Sequence, residues 1–432
     1  MNKDHNIIVE KSDPKSDVFD VIISASLDIQ NVFIPSNITR IESFAFSQCK
    51  KITTIEFDKN IQLKSIGVNA FRSTSFQKID IPSSVVEISS NCFLLNFSLD
   101  TIVIHEDSKL EKIGDNAFST TSISSIFIPA HLTRFPFDSW VHSLQKIDIS
   151  PENPNYKYLD EEKKIIIGKS ELKSSFDSIV FASKDITKIL IPSTIKYINY
   201  YAFYGCTQLD EIKFEQNSQL ISIGNHAFCN CNFTEITIPS HVKKIDEFCF
   251  ENCFNLCKLE FEPNSELTCF NVYILANSGI ESISIPPSVK ELKSRWMMNA
   301  ENLKNVYLDP NSKYLKYSDE SKKMILSKSN INSDVFDVVN FVSKDCTEIT
   351  IPSNVKLIGA DSFAYCNIDT IFIPKSVTRI CEMAFNDCNA SSIVFEKDSD
   401  LQIIDYGAFD TYSIKYCNLP GKIKYLDLNS FN

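Results

Sequence analysis

Several features that carry function in other proteins are scarce or missing in this chain of 432 residues. Glycine occurs nine times and tryptophan twice. No run of about 18 apolar residues is present, so no transmembrane helix is encoded and no membrane insertion is expected. The opening stretch, MNKDHNIIVEKSDPK, lacks the apolar core of a secretory signal peptide. On this basis alone, the chain is expected to stay in the cytoplasm, where it is made.

Basic residues are also fewer than acidic ones, with 43 Lys and Arg against 55 Asp and Glu. The formal net charge is −12, and a nucleic-acid partner requires a basic face, so nucleic acid is not expected as a partner. The sequence contains neither a G-x-G-x-x-G nor a Walker phosphate loop, which leaves no motif for a nucleotide cofactor. No Ser-His-Asp set can be nominated either. We therefore expect no cofactor, no catalytic residues and no enzymatic activity.

The strongest pattern that is present is a recurring Ile-Pro dipeptide. Its prolines lie 47 residues apart in two series: Pro35, Pro82 and Pro129, then Pro192, Pro239 and Pro286. Each interval divides again into units of 23 and 24 residues, as Ile81, Ile104 and Ile128 show. Units that end in L-x-x-I-x-I, as LDTIVI does, with a period of 20–29 residues, are typical of leucine-rich repeats.

A second repeated element, I-x-x-x-x-F, fixes the apolar positions inside each unit. It pairs Ile41/Phe46, Ile66/Phe71, Ile88/Phe93, Ile113/Phe118, Ile198/Phe203, Ile223/Phe228, Ile245/Phe250, Ile358/Phe363, Ile380/Phe385 and Ile404/Phe409. One unit of this size cannot bury its own apolar face, but stacked units shield one another. The sequence therefore predicts a right-handed, β-rich leucine-rich-repeat solenoid of 23–24-residue repeats with a parallel strand ladder. Proline after each strand has no N–H to give to that ladder.

Two related insertions interrupt the repeat, and a shortened copy of them opens the chain. In each copy a phenylalanine lies 16 residues before the closing Ile-Pro proline: Phe19, Phe176 and Phe336. The segments KKIIIGKS and FDSIVFAS predict two short strands around a polar turn, a hairpin continuous with the stack. We expect a single continuous solenoid over residues 1–432, with modules 1–148, 149–307 and 308–432, of which the first and last are incomplete.

The frame IPSSVxxIxxxAFxxC resembles the BspA-type leucine-rich repeats of bacterial surface antigens, a family expanded in trichomonad and amoebal protists. The insertion NPNYKYLDEEKKIIIGKS, followed by FDSIVFASKDITKILIP, is similar to that of trichomonad members. The resemblance covers roughly residues 6–432. It implies a surface antigen at the cell surface with a role in adhesion to host cells or matrix proteins.

Fourteen cysteines raise the questions of disulfides, metal binding and catalysis. In a large chain without a visible signal peptide, reduced thiols are the expected state. Six of the cysteines lie three residues after a repeated phenylalanine: Cys49, Cys206, Cys231, Cys253, Cys366 and Cys388. A small donor at a tight turn can bond a backbone carbonyl, so we interpret these thiols as structural.

Two cysteine clusters could in principle hold a metal. HAFCNC offers His226, Cys229 and Cys231, and CFENCFNLC offers Cys249, Cys253 and Cys257. Neither has a second CxxC or a pair of histidines nearby in sequence to complete four ligands. The structural interpretation is therefore favoured for both, and no metal site is predicted.

Binding is expected on the strands, at the residue between the two apolar positions, because that residue faces outward and differs from repeat to repeat. Two neighbouring pairs there are apolar: Val103 with Phe127, and Phe372 with Val394. Exposed apolar clusters often anchor protein interfaces, although single exposed apolar residues are ordinary. The favoured hypothesis is a non-enzymatic adhesive module that binds host or matrix proteins. The alternative is an intracellular protein-interaction scaffold.

Overall fold

The computed structural model describes residues 6–137, 143–171 and 174–431, and these residues contain no α-helix. The chain divides into two compact units. The first comprises Met1–Ile186 and Asn199–Cys206, and the second comprises Thr187–Ile198 and Thr207–Asn432. Each unit is a β-solenoid of stacked coils, so the predicted solenoid with parallel strand pairing is confirmed.

The first unit has two strands per coil through most of its length and three strands in its insertion. The strands are β1 (Ile7–Glu10), β2 (Val21–Ala25), β3 (Asn31–Ile34), β4 (Arg40–Ile41), β5 (Thr54–Phe57), β6 (Ser65–Ile66), β7 (Lys78–Ile81), β8 (Glu87–Ile88), β9 (Thr101–Ile104), β10 (Lys112–Ile113), β11 (Ser125–Ile128), β12 (Lys146–Ile149), β13 (Tyr156–Tyr158), β14 (Ile165–Lys169) and β15 (Phe176–Ala182).

The second unit repeats the same plan. Its strands are β16 (Lys188–Ile191), β17 (Tyr197–Ile198), β18 (Glu211–Phe214), β19 (Ser222–Ile223), β20 (Glu235–Ile238), β21 (Lys244–Ile245), β22 (Lys258–Phe261), β23 (Cys269–Phe270), β24 (Ser282–Ile285), β25 (Glu291–Leu292), β26 (Asn305–Leu308), β27 (Leu315–Tyr317), β28 (Met324–Ser327), β29 (Val338–Val342), β30 (Leu357–Ile358), β31 (Thr370–Ile373), β32 (Arg379–Ile380), β33 (Ser392–Phe395), β34 (Ile403–Ile404), β35 (Tyr416–Cys417) and β36 (Tyr425–Leu426).

A typical coil carries one long strand of four residues and, after a turn that often begins with proline, one short strand of two residues. The short strands form the more continuous ladder. In the first unit the order is β2-β4-β6-β8-β10, and in the second β29-β30-β32-β34-β36. The repeated isoleucines lie in register along it, as Ile41, Ile66, Ile88 and Ile113 do. Each pairing gives the short strand the hydrogen bonds that it cannot make by itself.

Most long strands pair only in twos, such as β3 with β5 and β7 with β9. Within a pair, the amide after the second strand completes the ladder, as Asp58 N–H does by donating to Ile34 O at 2.9 Å. In the next coil that position is Pro82, which has no N–H to donate to Phe57 O. The predicted long-strand ladder is therefore interrupted. In the second unit, one such interruption, between β18 and β20, leaves a groove of about 480 Å³.

Every isoleucine and phenylalanine of the ten predicted I-x-x-x-x-F pairs is buried, so this part of the prediction is confirmed. The rings stack from coil to coil. Phe46 lies on Phe71 with ring centroids 5.0 Å apart, and Phe385 lies on Phe409 at 5.3 Å. The backbone follows the rings, since Phe46 N–H donates to Ala70 O at 2.8 Å. Ring and amide together link each coil to the next.

The insertions form antiparallel sheets, which confirms the predicted hairpins. The expected two strands are β14–β15 in the first unit and β28–β29 in the second. A third strand that the sequence pattern did not reveal precedes each pair: β13 and β27. Its tyrosine ties the insertion to the long strand before it. Tyr317 Oη accepts from Leu308 N–H at 2.9 Å and donates to Val306 O at 3.1 Å.

In the second unit, the coil before the insertion contacts the coil after it through an ionic cluster that is partly buried. Arg295 donates to Glu382 at 2.8 Å, and its Nε lies 3.7 Å from Oδ2 of Asp361. The Asp361 side chain is only 3% exposed. Burial raises the pKa of the Asp361 carboxyl to about 7, although the Arg295 guanidinium opposes that shift. The free-energy cost of removing this carboxylate from water exceeds the electrostatic stabilisation that the nearby guanidinium provides.

The stacked rings predict a large stability loss when one is truncated. Phe228 is fully buried and stacks on Phe250 at 5.7 Å, so Phe228→Ala should cost about 3–5 kcal/mol by leaving a cavity. Chemical denaturation measures that loss. Phe254, 69% exposed, is the matched control, and Phe254→Ala should cost less than about 0.5 kcal/mol. Equal losses for the two variants would show that the assigned register is wrong.

The raised pKa of Asp361 predicts a pH-dependent stability. A carboxyl that keeps its proton in the folded state favours folding at low pH, and this contribution is lost as pH rises from the ordinary pKa of 3.8 through about 7. An asparagine at this position would imitate the protonated side chain. The free energy of unfolding of Asp361→Asn minus that of the wild type should therefore increase by about 2 kcal/mol from pH 5 to pH 8. Denaturation at both values checks it, and a difference that does not vary with pH would contradict the assignment.

Candidate protein-binding surface

The outward face of the long strands has two rows of side chains. The second and fourth residues of each strand point into the core, whereas the first and third point out, as the burial pattern of β7 shows. The sequence analysis identified only the third-position row. The first-position row could have been found from the same alternation, because side chains in a strand change face at every residue. Tyr416 belongs to this missed row.

Phe372 and Val394 lie directly opposite each other on paired strands, β31 and β33. Their exposed fractions are 64% and 38%. On the next strand, β35, Tyr416 lies in register with Ser392 and is 72% exposed. These three side chains, which we call the apolar patch, occupy three adjacent strands on one face. Adjacent exposed apolar side chains of this kind are the usual anchors of protein interfaces.

A polar groove runs along the start of the same three strands. It has a volume of about 500 Å³ and is lined by Thr347, Asn367, Asp369, Asn389, Ser391, Tyr412, Ser413 and Lys415. Asn389 donates to Asn367 at 2.9 Å, and Ser413 donates to Asn389 at 3.1 Å. Asp369, Ser391 and Lys415 immediately precede β31, β33 and β35. The apolar patch thus has a polar border along one side, as protein interfaces commonly do.

Val103 and Phe127 are placed differently from the other predicted pair. They lie on β9 and β11, which are neighbours but belong to separate hydrogen-bonded pairs. Both side chains are half-buried, and Phe127 packs against the core of the first unit. Val103 lies opposite Asp80, whose carboxylate is bonded to His105 at 2.7 Å. This pair therefore presents less apolar surface than the apolar patch does.

Several of the cysteines three residues after a repeated phenylalanine donate to a backbone carbonyl, as predicted, and the carbonyl belongs to the preceding coil. Cys253 Sγ donates to Phe228 O at 3.1 Å, and Cys49 Sγ donates to Ser26 O at 3.5 Å. Thr121 fills the same slot elsewhere and donates to Phe118 O at 2.7 Å. These thiols therefore take part in the turns of the solenoid.

The cysteine clusters show no sign of activated thiols. Cys229 and Cys249 are buried, and burial raises the pKa of both thiols. It also raises the pKa of Cys253, to about 12. A thiol with a raised pKa is a weak nucleophile, because the thiolate is the reactive form. Cys257, by contrast, is exposed, so the CFENCFNLC cysteines do not share one environment.

The described parts of the chain contain no group of three or more His, Cys, Asp or Glu side chains arranged to hold a metal ion. His226 instead lies 3.5 Å from the Glu251 carboxylate and stacks on Phe248. Within the same described ranges, no helix has the length and apolar character needed to cross a membrane.

Solved structures with the same architecture include two that align over most of the chain. A leucine-rich repeat protein from Eubacterium ventriosum has a TM-score of 0.55 at 20% identity, over 91% of this chain and 85% of its own. The pneumococcal vaccine antigen PcpA has a TM-score of 0.52 at 18% identity, over 88% and 85%. At 18–20% identity, these similarities show a shared fold and nothing further about this chain. No curated protein is significantly similar in sequence to this chain.

The sequence itself matches a family model described as the BspA type leucine-rich repeat region, over residues 23–145, 174–304 and 330–432. These ranges include most of the repeats whose stacking is described above. The chain belongs to the BspA-type leucine-rich repeat family, whose fold is a general protein-binding scaffold.

Proposed function

We propose that this protein is a non-enzymatic adhesive module of the surface-antigen type, which binds host-cell or matrix proteins. The observation that carries the proposal is the apolar patch of Phe372, Val394 and Tyr416 on three adjacent strands. An interface with a protein favours such a patch because aromatic and aliphatic anchors lose water there, while a polar border supplies directional hydrogen bonds. The groove lined by Asp369, Ser391 and Lys415, among others, is that border.

Two further observations support the proposal. The residues shared by all coils are used for stacking, so the outward rows are the part of the surface that can differ without loss of the fold. The similar fold of the vaccine antigen PcpA shows that a solenoid of this kind occurs in an antigen. The buried thiols of raised pKa give no support to covalent catalysis.

Substitution of the apolar patch tests this role directly. The triple variant Phe372→Ala/Val394→Ala/Tyr416→Ala should raise the dissociation constant for a bound partner by about tenfold or more. Purified wild-type protein is first assayed by surface plasmon resonance against collagen, laminin and fibronectin, and against intact epithelial cells. The matched control is Phe97→Ala/Phe254→Ala/Tyr200→Ala, which removes side chains that are at least half exposed. The control should change affinity by less than about twofold.

The second predicted pair is tested in the same assay. Because Val103 and Phe127 are half-buried, Val103→Ala/Phe127→Ala should weaken binding less than the triple variant does. No saturable binding of the wild-type protein to any of these surfaces would contradict an adhesive role. Equal losses for the triple variant and its control would contradict the patch as the contact site.

Cell fractionation separates the proposal from an intracellular scaffold. Protein expressed with an epitope tag in its natural cell should be found at the cell surface, where protease added to intact cells removes the tag signal. A signal found only in the cytosol, resistant to that protease, would favour the scaffold instead.

A further inference from the structure

The insertion of the second unit carries an aromatic ring held between two lysines. The ammonium groups of Lys316 and Lys328 lie 4.6 and 5.0 Å from the ring centroid of Phe336. Lys316 lies in β27, Lys328 directly follows β28, and Phe336 lies two residues before β29, in a sheet whose order is β27-β28-β29. Distances below about 6 Å are those of cation–π contacts.

The arrangement continues onto a neighbouring coil. Lys328 also lies 5.9 Å from the ring of Tyr314, and Lys290 lies 5.9 Å from the same ring. Lys290 directly precedes β25, so it is brought to the insertion only by the stacking of coils. Three cations and two rings thus alternate in one continuous row, which we call the lysine row: Lys316, Phe336, Lys328, Tyr314 and Lys290.

The three ammonium groups of the lysine row lack a direct ion-pair partner among the described residues. Over the parts of the chain that the structure describes, no carboxylate oxygen lies within 4.0 Å of the ammonium groups of Lys290, Lys316 or Lys328. The nearby Asp337 carboxylate is already bonded to the amide and the hydroxyl of Ser329, at 2.8 and 2.7 Å. Many other lysines of this acidic protein do have a partner, such as Lys258 with Glu260 at 3.1 Å.

The spacing of the cations limits what can bind. The two distances to Phe336 place Lys316 and Lys328 no more than about 10 Å apart, and the two distances to Tyr314 place Lys328 and Lys290 no more than about 12 Å apart. In an extended peptide, side chains on one face are about 7 Å apart, and those four residues apart are about 13 Å. Carboxylates two residues apart in an extended segment, at about 7 Å, lie within both limits, whereas those four residues apart, at about 13 Å, exceed both.

We propose that the lysine row is a binding site for an acidic, extended peptide segment of a partner protein, separate from the apolar patch. The faces of both rings are approached by ammonium groups, so they offer less open area for the stacking of a sugar. The net charge of −12 does not prevent binding, because charges farther away than about 10 Å are largely screened at 0.1 M salt.

The insertion of the first unit provides an internal comparison. Its Phe176 is flanked in the same way by Lys157 and Lys169, at 4.5 and 5.2 Å, and Lys163 lies 5.6 Å from Tyr158. That insertion, however, has Asn155 three residues before Tyr158, where the second insertion has Tyr314 three residues before Tyr317. The lysines of the first insertion therefore share the ring contacts at the phenylalanine but lack the second ring that extends the lysine row to Lys290.

Fluorescence anisotropy with a labelled 12-residue peptide of alternating glutamate and serine tests the proposal, with the glutamine–serine peptide as the neutral probe. Lys290→Gln/Lys316→Gln/Lys328→Gln should weaken binding of the acidic peptide by about tenfold or more, and the neutral peptide should not bind. Replacement of the same three lysines by arginine keeps charge and ring contact, so it should restore affinity to within about threefold. Affinity should also fall between 50 and 200 mM salt.

The matched control is Lys157→Gln/Lys163→Gln/Lys169→Gln, which removes the same charge and the same kind of ring contact and should change affinity by less than about twofold. Circular dichroism of every variant verifies folding. Equal losses for the two glutamine variants would overturn the proposal, since binding would then follow overall charge. Binding of heparin without binding of the acidic peptide would overturn it in favour of an anionic glycan.

Discussion

The contact between one coil and the next is the interaction on which the rest of this structure depends. A single coil leaves one face of its phenylalanine ring and several of its backbone amides without partners. The next coil supplies both, since Phe71 lies between Phe46 and Phe93 at 5.0 and 5.6 Å while its N–H donates to Cys92 O at 2.9 Å. Burial of the rings is favourable only when the polar backbone beside them is also satisfied.

This constraint explains why the insertions do not interrupt the solenoid. In the second unit the hairpin joins the short-strand ladder through its last strand, β29, which pairs with β30 as any other strand would. The coil that holds Arg295 is then free to stack on the coil that holds Asp361, although the whole insertion separates them in sequence. The Asp361 carboxyl lies at this junction and is poorly solvated, so its pKa is raised.

Function is left to the residues that stacking does not use. The outward rows of the long strands and the outer faces of the insertions can vary because their side chains are not buried between coils. These two surfaces differ in chemistry. Binding at the apolar patch is driven by the removal of apolar surface from water. Binding at the lysine row is driven by electrostatic attraction and therefore depends on the salt concentration. A protein that carries both can bind different features of one partner or two different partners.

The sequence by itself determined the repeat length, the buried isoleucine and phenylalanine positions, the thiol slot and the hairpins. All of these depend on contacts that every coil repeats, so many copies of one local pattern reveal them. Only the tertiary structure decided that the long strands pair mostly in twos, that Tyr416 joins Phe372 and Val394, and that Val103 and Phe127 are half-buried. It also brought Lys290 beside Tyr314. These features depend on distances between particular coils, and such distances are set by the packing of residues that no repeat pattern specifies.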